Sequence, residues 1–227
     1  APSSDYAKMA LAKRLETAKD LSGADALFGS IGPQSLQWSW AMREHATMLN
    51  GRGDKAGALA LVRKARAKAP AADDLSLLEA QLLDDAGRQP EAIAVYRTII
   101  AAADARATSP RQRAMYRILL AQALEKTGDW SAARKQLENA LSFDGNNPQL
   151  LNYLGYSMLE RREDIKRGFE HVSKAHSLLP NSPEITDSLG WGHFLSGQYN
   201  NAVPLLEKAV ETAIADVTIN EHLGDAY

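Results

Sequence analysis

Residues 183–216 read PEITDSLGWGHFLSGQYNNAVPLLEKAVETAIAD, two apolar-periodic stretches on either side of Ser196-Gly197-Gln198. The first stretch carries the small residue Gly190 directly after Leu189, and the second repeats a small residue seven positions apart, at Ala202 and Ala209. Seven residues are about two helical turns, so Ala202 and Ala209 share a face. Two helices of a hairpin approach closely only where one presents Gly or Ala at the crossing. A large side chain there overpacks the contact, at a cost of roughly 1–3 kcal/mol. The stretch therefore predicts two antiparallel helices joined by a glycine turn.

Outward from this unit the same signature recurs. Leu223-Gly224, Leu189-Gly190, Leu154-Gly155, Leu120-Ala121, Ala80 and His45-Ala46 fall into register, with successive spacings of 34, 35, 34, 41 and 34 residues. Twelve positions after the small anchor come Ala58, Ala92, Ala133 and Ala202, with Gly168 one place late. Ala65, Ala140, Ala175 and Ala209 follow seven later, Ile99 being the exception. Gly53, Gly87, Gly128 and Gly197 mark turns, and Pro70 and Pro180 end second helices. Leu124, Leu137, Leu154 and Leu206 flank the crossings and fill the space between hairpins. One hairpin cannot bury its apolar face alone, so neighbours must stack.

In these residues the chain resembles the tetratricopeptide repeat (TPR) family along nearly all its length. The resemblance implies an all-α fold, a right-handed α-α superhelix or solenoid of stacked antiparallel hairpins. The expected organisation is an N-terminal helical segment over 1–38, a decayed repeat with Ala24 and Phe28 in place. Repeats follow over 39–72, 73–113, 114–147, 148–182 and 183–216, then the first helix of a further repeat over 217–227. First helices are expected near 4–20, 34–50, 72–86, 110–127, 147–161, 182–196 and 217–227. Second helices are expected near 23–30, 54–68, 89–105, 130–143, 164–178 and 199–213. The 41-residue spacing predicts a longer second helix, or a loop, around 101–109. Gly168 in place of alanine costs about 1 kcal/mol of helix propensity. No stretch alternates as a strand does.

Residue types that carry chemistry do not assemble into a catalytic pattern. His171 and His176 are five apart and point to different faces of one helix, whereas zinc wants spacings of three or four on one face. His45 and His193 replace apolar residues between helices and read as structural. Gly51-Arg52-Gly53-Asp54-Lys55-Ala56-Gly57 lacks the ending and the preceding strand of a P-loop. Its Arg-Gly-Asp tripeptide is in register with a helix-to-helix turn, where aspartate caps the next helix. Asp73-Asp74, Asp84-Asp85 and Glu163-Asp164 lie at helix starts or turns, where acidic residues cap or solvate. No enzyme activity, cofactor or metal is implied.

The resemblance also implies a partner surface on the first helices, at the second, fifth, ninth and twelfth positions of each unit. The ninth position carries Gln81, Gln122, Tyr156 and Trp191; the fifth carries Arg43, Leu77, Ile118, Asn152 and Asp187; Phe194 stands at a twelfth. The expected groove residues are Arg43, Gln81, Gln122, Asn152, Tyr156, Asp187, Trp191 and Phe194. Exposed aromatics give contact area at low entropic cost, and the amide and carboxylate can pair with a peptide backbone. Trp191→Ala should then weaken partner capture with little change in melting temperature. The alternative is that Tyr156 and Trp191 pack between first helices. Trp130 and Tyr199 occupy the usual packing position between repeats. Where chaperone-binding relatives carry the lysines of a carboxylate clamp, this chain has Asn152, Asp187 and Glu221, which argues against an acidic C-terminal peptide as ligand.

Twenty-six Lys and Arg against 28 Asp and Glu leave a formal net charge of −2, without the basic footprint of a nucleic-acid binder. No apolar run is long enough to span a bilayer, and zero cysteines exclude disulfides and thiolate metal sites. Ala1-Pro2-Ser3-Ser4 shows no signal-peptide pattern. The last segment stops inside an apolar-periodic stretch, so the chain reads as a piece of a longer protein. The run from Asn152 to Tyr156, repeated at Asp187 to Trp191 and Glu221 to Tyr227, resembles bacterial tetratricopeptide proteins. Some of these are outer-membrane lipoproteins that act as periplasmic adaptors, which implies a periplasmic setting. The expected function is a non-catalytic scaffold that binds a peptide or helical segment of a partner protein. The alternatives are a regulatory or substrate-selecting arm of a larger enzyme, and self-association through an unpaired terminal helix.

Overall fold

The computed structural model describes residues 4–70 and 72–227. Residues 1–3 and 71, which belong to the expected segments 1–38 and 39–72, lie outside the described residues. Among the described residues there are thirteen α-helices and no strand. They are α1 Asp5–Thr17, α2 Leu21–Gly29, α3 Trp38–Gly51, α4 Lys55–Lys68, α5 Asp73–Asp85, α6 Gln89–Ala105 and α7 Pro110–Lys126. Then come α8 Trp130–Leu141, α9 Pro148–Glu160, α10 Ile165–Leu178, α11 Pro183–Leu195, α12 Tyr199–Thr212 and α13 Val217–Ala226. The fold is an all-α repeat of helical hairpins.

Helix boundaries follow from local chemistry. Asp54, Asp129, Asn147, Asp164, Ser182 and Asp216 each cap the helix that follows, accepting a backbone N–H with the side chain. Pro148 and Pro183 sit at first helical positions, where the missing N–H costs nothing. The Arg-Gly-Asp tripeptide is such a junction: Gly53 turns at φ 90° and Asp54 caps α4. Between α9 and α10 there is no glycine, and Arg162 (φ 51°) and Asp164 (φ 56°) take the left-handed region instead. The long spacing is accommodated in both expected ways. The second helix α6 runs 17 residues against 14 for α4, and a turn containing Ala107 (φ 47°) follows it.

The chain divides into two compact units, residues 1–107 with 123–128, and 108–122 with 129–227. In the first unit, α1 pairs with α2, α3 with α4 and α5 with α6; α4 packs on α5, and α3 also touches α5. Ala24 and Phe28 of α2 are fully buried, among Met9, Ala12, Ile31 and Ala41. Glu79 of α5 is buried, and its carboxylate takes hydrogen bonds from Arg63 (2.8 Å) and Arg66 of α4. This charge-assisted link between consecutive hairpins was not legible in the sequence.

In the second unit, α9 pairs with α10 and α11 with α12; α10 packs on α11 and α12 on α13. The first helices also touch in sequence, α9 to α11 and α11 to α13. The α9–α10 crossing is glycine on glycine. A Cβ at Gly155 would lie 2.8 Å from the Gly168 carbonyl oxygen, and one at Gly168 would lie 3.0 Å from that of Gly155. Gly168 thus spends helix propensity on a close backbone approach. Trp130, at the start of α8, is half-buried; its indole N–H bonds the Glu163 carboxylate and the Arg161 guanidinium lies 4.4 Å over its ring. Tyr199, at the matching place in α12, is 55% exposed and meets the Phe194 ring edge-on, correcting the expectation that it packs between repeats.

A candidate partner-binding groove on α9, α11 and α13

The first helices of the second unit present their fifth and ninth positions along one surface. Asn152 and Tyr156 come from α9, and Asp187 and Trp191 from α11. A cleft of about 230 Å³ opens where these helices meet α13, lined by Asn152, Tyr156, Glu184, Asp187, Asp216 and Ile219 among others. It adjoins a second hollow of about 470 Å³ that shares Asn152, Tyr156 and Glu184 and adds Gln149 and Tyr153. Three carboxylates line the first cleft, and no Lys or Arg does.

The aromatic residues are placed differently from the expected exposed cluster. Trp191 is 9% exposed, its ring stacked between Phe194 (4.8 Å, 15°) and His222 (4.2 Å, 12°). Its indole N–H donates to Glu160 Oε1 at 2.6 Å. Trp191 therefore packs between repeats, and the expectation that Trp191→Ala leaves stability intact is withdrawn. Phe194 is half-buried against it. Tyr156 is half-buried and lines both hollows. Burial, reinforced by the nearby charges of Glu160, Asp187 and Asp216, pushes its phenol up to about 12, so it remains a neutral donor.

Asp187 is 3% exposed. Its Oδ2 meets Nδ1 of His222 at 2.8 Å, while Oδ1 is buried with no hydrogen-bond partner in the protein. Burial raises the Asp187 carboxyl above its ordinary range, and the bond to His222 opposes that shift. Asn152 Oδ1 is likewise buried without a partner. The cleft thus contains two acceptors that no group of this chain satisfies. His222 was not among the expected groove residues. Its sequence signal is slight, a histidine 35 positions after Asp187, one place out of register with it.

The other expected groove residues lie elsewhere. Arg43 is exposed on α3 and bonds Glu44 (2.9 Å), and Gln81 is exposed on α5, both in the first unit. Gln122 is exposed on α7 and does not line this cleft. Of the remaining histidines two have hydrogen-bond partners, while Nε2 of His171 and Nε2 of His176 are buried without one. His45 bonds Asp25 (2.8 Å) and stacks on Phe28, and His193 bonds Gln198 (2.8 Å). Among the described residues no three His, Asp or Glu side chains are placed to hold a metal ion. No described helix is long and apolar enough to cross a membrane.

Consecutive hairpins with small residues at each crossing, stacked first helix on first helix, define a helical-repeat scaffold of the kind that contacts other proteins. Tetratricopeptide repeat models match residues 45–109 and 114–157. By these matches the chain carries tetratricopeptide repeats. It is 29% identical over 224 residues to TPR repeat-containing protein PA4667 of Pseudomonas aeruginosa, covering 97% of this chain and 36% of that protein. It therefore spans little more than a third of the curated relative's length. Among solved structures it resembles BtubC from P. vanneervenii (TM-score 0.70, 18% identity, 94% of this chain and 92% of that one). It also resembles MamA from Desulfovibrio magneticus RS-1 (0.63, 17%, 79% and 97%). A third is YrrB, described as a TPR protein with an unusual peptide-binding site (0.61, 15%, 82% and 92%).

Proposed function

We propose that this chain is a non-catalytic adaptor that holds an extended or helical segment of a partner protein along α9, α11 and α13. The observation that carries this is the pair of buried acceptors, Asp187 Oδ1 and Asn152 Oδ1, lining a cleft on stacked first helices. A buried polar atom without a partner costs on the order of 1–3 kcal/mol, and a bound segment that brings donors removes the cost. Tyr156, a neutral donor and an aromatic face, lines the same cleft and supplies contact area that changes little in entropy on binding. Arg43 and Gln81 in the first unit, and Gln122 on α7, hold the equivalent positions that the family resemblance implies as partner contacts. A relative of which this chain covers 36% has room for further parts, so the adaptor is proposed as one segment of a longer protein.

The test is positional photo-cross-linking in the source cell. Benzoylphenylalanine replacing Gln149 or Thr218, at the cleft, should capture a discrete partner, whereas replacing Lys174, exposed on the second helix α10, should not. Equal capture at all three positions, or capture only at Lys174, would move the partner off this surface.

A further inference from the structure

We propose that the cleft between α9, α11 and α13 seats a positively charged side chain of the partner, an arginine or a lysine; this rests on the groove reading above. Elsewhere in the molecule, carboxylates that lie between hairpins are met by cations of the chain itself. Glu79 receives Arg63 and Arg66, Asp84 receives Lys126 (2.6 Å), and Glu163 receives Arg134 (3.0 Å). The cleft departs from that pattern. Glu184 accepts from the Ser182 hydroxyl (2.6 Å), Asp216 caps α13 through the Ile219 N–H (3.1 Å), and Asp187 meets only His222. Three carboxylates therefore converge on one opening, and no Lys or Arg lines it.

The second observation is independent of that charge count. Asp187 is 97% removed from solvent by its 3% exposure, yet its Oδ1 has no donor, and Asn152 Oδ1 stands in the same state beside the same opening. A guanidinium carries five N–H donors and no acceptor, and an ammonium carries three, so either brings donors for more than one acceptor. A buried carboxylate is expensive unless it is paired and hydrogen-bonded, so the incoming charge removes a cost already present in the free protein. Tyr156 on the wall adds an aromatic ring, which attracts a cation over its face. At about 230 Å³ the cleft far exceeds the ~30 Å³ share of one water and has room for such a head group. A metal ion is the poorer occupant, since no three acidic or imidazole groups among the described residues are placed to hold one.

The test uses the full 227-residue chain and two capped pentapeptides, acetyl-Ala-Ala-Arg-Ala-Ala-amide and its citrulline analogue, titrated by NMR. Citrulline keeps the shape and loses the charge. The arginine peptide should bind about tenfold more tightly or better, as charge-assisted hydrogen bonds imply, and should shift the Asn152 side-chain amide and the Trp191 indole signals. Asp187→Asn should abolish the preference. Because Asp187→Asn also disturbs the His222 contact, the double variant Glu184→Gln/Asp216→Asn, which keeps the α13 cap, should reduce it several-fold with an unchanged circular dichroism spectrum. Equal binding of the two peptides, binding of neither, or a preference that survives both variants overturns the cation seat. None of these touches the groove reading if Gln149 and Thr218 still cross-link a partner. Loss of those cross-links with the arginine preference intact overturns the groove reading and leaves the seat.

Discussion

Gly155, Gly190 and Gly224 occupy the same place in successive hairpins, yet the structure assigns opposite consequences to an alanine at two of them. At Gly155 an added Cβ would meet the Gly168 carbonyl oxygen at 2.8 Å, His171 Cβ at 2.9 Å and Val172 Cγ1 at 2.9 Å. Backbone and Cβ atoms cannot swing aside as a side-chain tip does, so α9 and α10 must separate. Overpacking of this kind costs about 1–3 kcal/mol, against a gain of about 1 kcal/mol from replacing a mid-helix glycine. With backbone in the way the upper half of the range applies, and Gly155→Ala should lose about 1–2 kcal/mol net. At Gly224 nothing lies within 4 Å, so only the propensity gain remains, and Gly224→Ala should add about 0.5–1 kcal/mol near the end of α13. Gly190 is intermediate, since its crowding comes from the movable Leu206 side chain at 2.8 Å. The assay is urea unfolding followed by helical circular dichroism. Thermal midpoints serve as a check, moving about 2–4 °C per kcal/mol for a chain of this size. If Gly155→Ala matched or exceeded the wild type, the close approach of α9 and α10 would be wrong.

Trp191→Ala should cost about 3–5 kcal/mol, the range for emptying a buried aromatic site, with Trp191→Phe losing less; unchanged unfolding in urea would return Trp191 to the surface. Glu79→Gln should lose about 1–3 kcal/mol by weakening two charge-assisted bonds, visible as a lower urea midpoint, and an unchanged midpoint would make the Arg63 and Arg66 contacts incidental. Burial holds the His171 imidazole below its ordinary 6.5, and His176 likewise. The unfolded chain therefore takes up these protons first, and stability present above 6.5 falls as pH drops through that value toward the lowered one. Asp187, raised by burial, works in the opposite sense as it protonates, so comparing melting temperature against pH for wild type and His171→Gln isolates the histidine. A flatter acid limb is expected for the variant, and an identical one would place His171 in solvent.

How much of this was legible beforehand depends on the range of the interaction concerned. Small residues at a near-constant spacing, glycine turns and capping aspartates act within one hairpin. For that reason the sequence alone determined the helices and their pairing order, and it offered a longer second helix or a loop where the spacing lengthens to 41 residues. It also pointed to Asn152, Tyr156 and Asp187 as neighbours, since equivalent positions of stacked first helices must align.

What the tertiary structure decided is how each position is used. Register treats Gly168 as a weak helix former, whereas the Gly155 carbonyl 3.0 Å from its would-be Cβ makes it a requirement of the crossing. Register also lets Trp191 face outward, whereas His222, from the next first helix, closes over it and binds Asp187. Burial and charge at a site come from three helices converging at side-chain distance, and a period read along one chain carries no information about which side chains fill the space between them.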